Sequence, residues 1–171
     1  MGSYLNPGNK GFQERLNSEI YVDKTGLIEK TNAVLDTRQK FLCVSRPRRF
    51  GKSMAADMLA AYYERGEDAD LLFRSLKISK AESYRAHLNQ YDVIKVNIQE
   101  FLSMTGSMDE MLSMLKKYLV FDLMEHFDDV RFRDESNLIQ VMKDIYAKTK
   151  RAFVILIDEW DCLFREYQQD Q

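Results

Sequence analysis

Phe41-Leu42-Cys43-Val44-Ser45-Arg46-Pro47-Arg48-Arg49-Phe50-Gly51-Lys52-Ser53-Met54 is the stretch on which the reading of the fold turns. Its first five residues form a continuous apolar run after charged residues, the pattern of a strand covered on both faces in a parallel sheet. From Lys52 onward Met54, Ala55, Met58, Leu59 and Tyr62 recur at helical spacing, and Gly66 supplies a stop. Strand, turn and helix therefore follow in that order. Backbone N–H groups at a helix start point outward and the helix dipole favours negative charge there, so Gly51-Lys52-Ser53 at this junction reads as a phosphate cradle.

Working outward, Tyr21-Val22-Asp23-Lys24-Thr25 reads as a short extended piece leading into a helix that Thr25 caps. Leu71-Leu72-Phe73 and Leu76 suit a short helix or turn, and residues 91–98 have the β-branched alternation of a second strand. Ser107 and Glu110 make a capping box for a long helix striped by Met108, Met111, Leu112, Leu115, Leu119 and Met124. A further helix is expected over 135–149, with Leu138, Val141, Met142, Ile145 and Tyr146 facing inward. Phe153-Val154-Ile155-Leu156-Ile157 then reads as a buried third strand. Strands alternating with helices predict a three-layer α/β/α fold of the P-loop NTPase type with a mainly parallel sheet. The expected organisation is an N-terminal leader segment over 1–35, packing on a core domain over 36–171.

The chemistry lies at two places. Lys52 suits the β- and γ-phosphates of a nucleoside triphosphate and the Ser53 hydroxyl suits magnesium, with Arg46, Pro47, Arg48, Arg49, Phe50, Gly51 and Met54 completing the binding stretch. A Gly-Lys-Ser tripeptide alone is weak evidence. The strand ending in Asp158-Glu159 strengthens it, because parallel sheets place ligand sites at the carboxyl ends of their strands. Asp158 suits the magnesium shell, and Glu159 suits polarising an attacking water as a general base beside the catalytic Lys52. The bland alternative for both carboxylates is an N-cap or a surface ion pair, and that is the expectation for Asp161.

Charge supports the same reading. Arg46, Arg48, Arg49 and Lys52 place four cations in seven positions of a 171-residue chain whose net charge is −2. The whole-chain balance argues against general attraction to nucleic acid or anionic lipid, while the local excess suits polyphosphate or, second, a nucleic-acid backbone. One irregularity stands out: Arg46 occupies the position, five before Gly51, where a phosphate loop ordinarily has glycine, and Pro47 removes an N–H donor. Cys43, Cys162, His87 and His126 lack metal-ligand spacing and read as packing or surface residues. The longest strongly apolar run, 153–157, is too short to span a bilayer, and no secretory signal opens the chain, so cytoplasmic location is the default.

These residues resemble a family, the bacterial AAA-ATPase-like proteins, whose phosphate loop has the form R-P-R-R-F-G-K-S. Residues 21–25 look like the segment preceding that loop, and Ile157-Asp158-Glu159-Trp160-Asp161 like its acidic strand end. The resemblance implies ATP and magnesium as cofactors, Walker A and Walker B roles for the two segments, and Arg46 and Pro47 as the family's own version of the loop. It implies that such a domain is often followed by a PD-(D/E)XK nuclease-like domain, which makes nucleic acid a candidate partner of the full-length protein and leaves oligomerisation open. With ten residues after Asp161, the chain is expected to be the N-terminal portion, ending before its last strands. Two functions remain in view besides ATP hydrolysis: a nucleotide-binding regulatory module without turnover, and a DNA-associated protein using the basic loop.

Overall fold

A computed structural model describes residues 3–45 and 51–167. The chain is α/β, about half helical, with a small parallel two-stranded sheet, β1 (Asp92–Asn97) beside β2 (Phe153–Asp158). It divides into two compact units, Gly8–Val93 and Met1–Pro7 joined with Ile94–Gln171.

In the Gly8–Val93 unit, α1 (Lys10–Leu16) packs on α3 (Lys52–Tyr63), and α2 (Gly26–Asn32) packs on a 3-10 turn over Lys77–Lys80. The helix expected from Lys52 is present, and its second half, Met58 to Tyr63, is wholly buried. Phe12 stacks on Phe73 at 4.8 Å between ring centroids, and Tyr62 meets Phe73 edge-on at 5.4 Å. The two tyrosine hydroxyls are buried but satisfied, as buried polar groups must be. Tyr62 Oη donates to the Tyr84 carbonyl and accepts from Asn32 Nδ2, while Tyr63 Oη donates to Asn32 Oδ1.

Three expectations fail in this unit. Residues 41–45 form no strand; Phe41 is 88% exposed, and Leu42 and Val44 are also exposed. A strand exists only through ladder hydrogen bonds to a neighbour, and the described residues supply none there. Thr25 stands at the N-cap position of α2, yet its hydroxyl makes no cap bond. It donates to Asp23 Oδ1 at 2.6 Å and accepts from the Ile78 N–H at 3.1 Å instead. Leu71, expected to pack, is exposed on α4 (Asp70–Phe73), where Phe73 alone is fully buried.

In the second unit the core gathers Leu5, Ile94, Val96, Phe101, Met111, Leu123, Val141 and Ile145. Leu5 pairs with Ile94 as an antiparallel bridge, and Asp122 Oδ2 accepts from the Tyr4 N–H at 2.7 Å. α6 (Ile98–Ser103) packs on β2, and α7 (Met108–His126) packs on α8 (Leu138–Thr149). The capping box at Ser107 forms in a shifted version: Ser107 Oγ accepts from the Glu110 N–H, but Glu110 Oε2 accepts from the Gly106 N–H. Leu112 and Tyr146, expected inward, are exposed. β2 departs from the buried strand expected of it: Ile155 and Ile157 are each more than half exposed while Val154 and Asp158 are buried. In a sheet of two strands the alternate side chains of β2 lack a covering layer, so a run that is apolar on both faces buries only one.

Candidate functional site

Gly51 begins the site. It sits at the N-cap of α3 in the left-handed region, φ 81° and ψ 29°, which glycine enters without steric cost. A Cβ placed on it would stand 3.1 Å from Met54 Cε and 3.2 Å from Lys24 Nζ, so the missing side chain also leaves room for two neighbours. Among the described residues no side chain caps α3, and its first turn contains no acidic residue. The N–H groups and positive dipole end there are thus neither capped nor neutralised by the helix itself. Lys52, Ser53 and Met54 follow in the first turn, each half-buried. Arg46, Pro47, Arg48, Arg49 and Phe50 lie outside the described residues.

The segment before α2 approaches this helix start. Asp23 and Thr25 are both tied down: Asp23 Oδ1 accepts from the Thr25 N–H and hydroxyl, and Asp23 Oδ2 accepts from the Lys77 N–H at 2.8 Å. Burial pushes the Asp23 carboxyl up, but these bonds and the Lys77 charge outweigh it and hold it below the ordinary carboxylate range. Lys24, between them, is exposed and carries its ammonium to Gly51. Sequence reasoning gave this lysine no role. The available signal was its place between two side chains suited to local hydrogen bonds, an aspartate and a threonine.

Asp158 and Glu159 belong to the second unit. Asp158 is buried at the end of β2 and its Oδ1 accepts from the Glu159 N–H at 2.9 Å. Glu159 has φ 53°, a left-handed conformation that a non-glycine residue seldom adopts. The Glu159 carbonyl accepts from the Cys162 N–H, starting α9 (Cys162–Tyr167) directly after Asp161. Cys162 is buried, and burial together with the charges of Asp161 and Glu159 pushes its thiol up, away from reactivity. His87 stacks on Tyr91, whose hydroxyl lies 2.6 Å from Nδ1, and His126 packs edge-on against Phe127. Cys43 is exposed. Among the described residues no three His, Cys, Asp or Glu side chains converge as a metal site. Magnesium carried on phosphates needs only one or two protein oxygen ligands, and the Ser53 hydroxyl in the first turn of α3 is a group of that kind.

The model of the family described as predicted AAA-ATPase matches residues 8–171. The chain belongs to this AAA-ATPase-like family. A curated relative, described as an uncharacterized protein in the vnfD 5' region of Azotobacter chroococcum mcd 1, is 26% identical over 146 residues. Those residues are 82% of this chain, and the match spans 25% of the relative's length. No solved structure matches the chain. The AAA-ATPase-like assignment is consistent with use of a nucleotide. Among the described residues no helix of this AAA-ATPase-like chain is long and apolar enough to cross a membrane.

Proposed function

We propose that the chain binds ATP with magnesium at the start of α3. The observation that carries this reading is Gly51, left-handed and open at an uncapped helix N-terminus, followed by Lys52 and Ser53 in a chain of the AAA-ATPase-like family. Phosphate oxygens would accept from N–H groups of the first turn, and the Lys52 ammonium would neutralise the β- and γ-phosphates. Ser53 and Asp158 are the residues offered to magnesium, which when bound supplies charge neutralisation on the phosphates.

Hydrolysis is assigned to Glu159, whose carboxylate would accept a proton from the attacking water. Its left-handed backbone supports a functional role, since strained conformations of non-glycine residues cluster at functional sites. Isothermal titration with ATP and magnesium tests the binding half: a folded Lys52→Ala variant is expected to lose measurable affinity, and an unchanged affinity would overturn the assignment. Phosphate release tests the second half. Glu159→Gln should retain ATP and stop turnover, whereas a wild-type chain that binds ATP and releases no phosphate is a nucleotide-binding module.

A further inference from the structure

A cavity of about 390 Å³ opens in the Gly8–Val93 unit just past the C-terminal end of α3. Arg65, Glu67 and Asp68 line it from the turn after α3, and Arg85, Leu88 and Gln90 line it from the segment that begins with α5 (Tyr84–His87). Asn89 ties the two segments together. Its backbone is left-handed at φ 56°, its Nδ2 donates to the Glu64 and Glu67 carbonyls, and its Oδ1 accepts from the Ala69 N–H. The Asn89 N–H donates to the Tyr62 carbonyl and the Arg65 N–H to the Tyr91 carbonyl. Arg85 is held as well: Nη1 lies 2.9 Å from Asp70 Oδ1, and the guanidinium sits 5.2 Å from the centroid of the Tyr84 ring, whose hydroxyl donates to the same oxygen. Glu67 and Asp68 each engage one carboxylate oxygen with a backbone N–H, of Asn9 and of Asp70. The cavity is therefore framed by fixed backbone, with charged side-chain ends around the space.

The lining narrows the ligand. Small-molecule sites, roughly 300–1,000 Å³ in volume, are mostly apolar, whereas Leu88 is the one apolar residue among the described residues that line this cavity. What it offers is charge of both signs, two guanidiniums and two carboxylates. Among the described residues neither guanidinium pairs with either of these carboxylates: Arg65 forms no ion pair, and Arg85 pairs with Asp70, outside the lining. A polyphosphate would be repelled by the carboxylates and a polyamine by the guanidiniums. A ligand with one charge of each sign a few bonds apart meets both sets favourably. We propose that the cavity binds a small zwitterion of the α-amino acid type, its carboxylate accepting from Arg65 and Arg85 and its ammonium donating to Glu67 and Asp68. Gln90 spends Nε2 on the Leu88 carbonyl and keeps Oε1 as an acceptor for a polar group of the ligand. The site is separate from the start of α3, since the 12 residues of that helix span about 18 Å, and it stands whether or not a nucleotide binds there.

The test follows the backbone amide resonances of the full chain during titration with three probes. L-Glutamine carries both charges, N-acetyl-L-glutamine keeps only the carboxylate, and L-glutaminamide keeps only the ammonium. L-Glutamine is expected to bind with an affinity on the order of millimolar and to shift resonances of residues 65–68 and 85–90. Each single-charge analogue should bind about tenfold more weakly, the smaller effect expected from losing a hydrogen bond to a charged group. Arg65→Met removes a guanidinium that the fold does not use, and Glu67→Gln keeps an acceptor for the Asn9 N–H, so both variants should melt as the wild type does. Each should weaken L-glutamine by about the same tenfold factor. If either analogue binds as tightly as L-glutamine, or if both variants keep the wild-type affinity, recognition of a zwitterion by these side chains is wrong. Resonances that stay in place throughout the titration, or that shift only away from the cavity, overturn the site itself.

Discussion

At the scale of single residues, two carboxylates of the Gly8–Val93 unit are shifted in opposite directions. Asp23 accepts three hydrogen bonds and is held low, so its stabilising effect is full above the ordinary carboxylate range and is lost as pH falls through the folded-state value. Asp23→Ala should cost about 1–3 kcal/mol at neutral pH, read from urea unfolding, and should flatten the acid limb of the stability profile. Glu64 is 3% exposed and burial pushes its carboxyl up, with the nearby Glu67 charge adding to this and the hydrogen bond from the Gly8 N–H opposing it. Being raised, it favours folding below its unfolded value and loses that contribution as pH rises through the folded one. Glu64→Gln keeps an acceptor for Gly8 and sheds the buried charge, so at pH 7 its urea midpoint should match or exceed the wild type. Glu64→Ala, which orphans the Gly8 N–H, should lower the midpoint. None of this was legible in the sequence: Asp23 depends on Lys77 and Glu64 on Gly8, each 54 or 56 positions away.

Elements were legible where their signals are local. The start of α8 illustrates this, moved from the expected 135 to Leu138 because Asn137 is the residue whose side chain accepts from the first-turn N–H groups of Ile139 and Gln140. Asn137→Ala should lower stability by about 1 kcal/mol, measured by chemical unfolding. Asp144, on the same helix, accepts from Arg133 Nε at 2.7 Å, from the Arg133 N–H and from Gln140 Nε2, and these partners hold its carboxyl low. Asp144→Ala leaves the Arg133 N–H and guanidinium without that acceptor and should lower the urea midpoint by more than Asn137→Ala does. Its extra loss should vanish in acid, where the wild-type carboxylate is protonated too. Strands were less legible, because apolar runs report the possibility of pairing and not its partner. Residues 153–157 found β1, whereas residues 41–45, apolar but for Ser45, found no ladder among the described residues.

For the whole molecule, what separates binding from mere electrostatic attraction is linkage. The chain's net charge of −2 gives ATP no general attraction, so any affinity must come from local arrangement. The local arrangement was half visible in the sequence: Gly51-Lys52-Ser53 announced a phosphate, while the left-handed glycine with Lys24 beside it needed coordinates. A ligand that binds only the folded chain raises its stability by RT ln(1 + [L]/Kd), about 2.7 kcal/mol at a hundred times Kd. The melting temperature with magnesium and ATP should therefore climb with the logarithm of ATP concentration and show no plateau above Kd. Lys52→Ala should melt near the unliganded wild type at every ATP concentration. Sodium chloride should weaken the shift without abolishing it, since helix N–H groups contribute beside Lys52 and are less readily screened. A shift that saturates with no dependence on Lys52, or that disappears entirely in moderate salt, would mean that ATP is acting as a diffuse counterion on the surface and that the start of α3 is not its site.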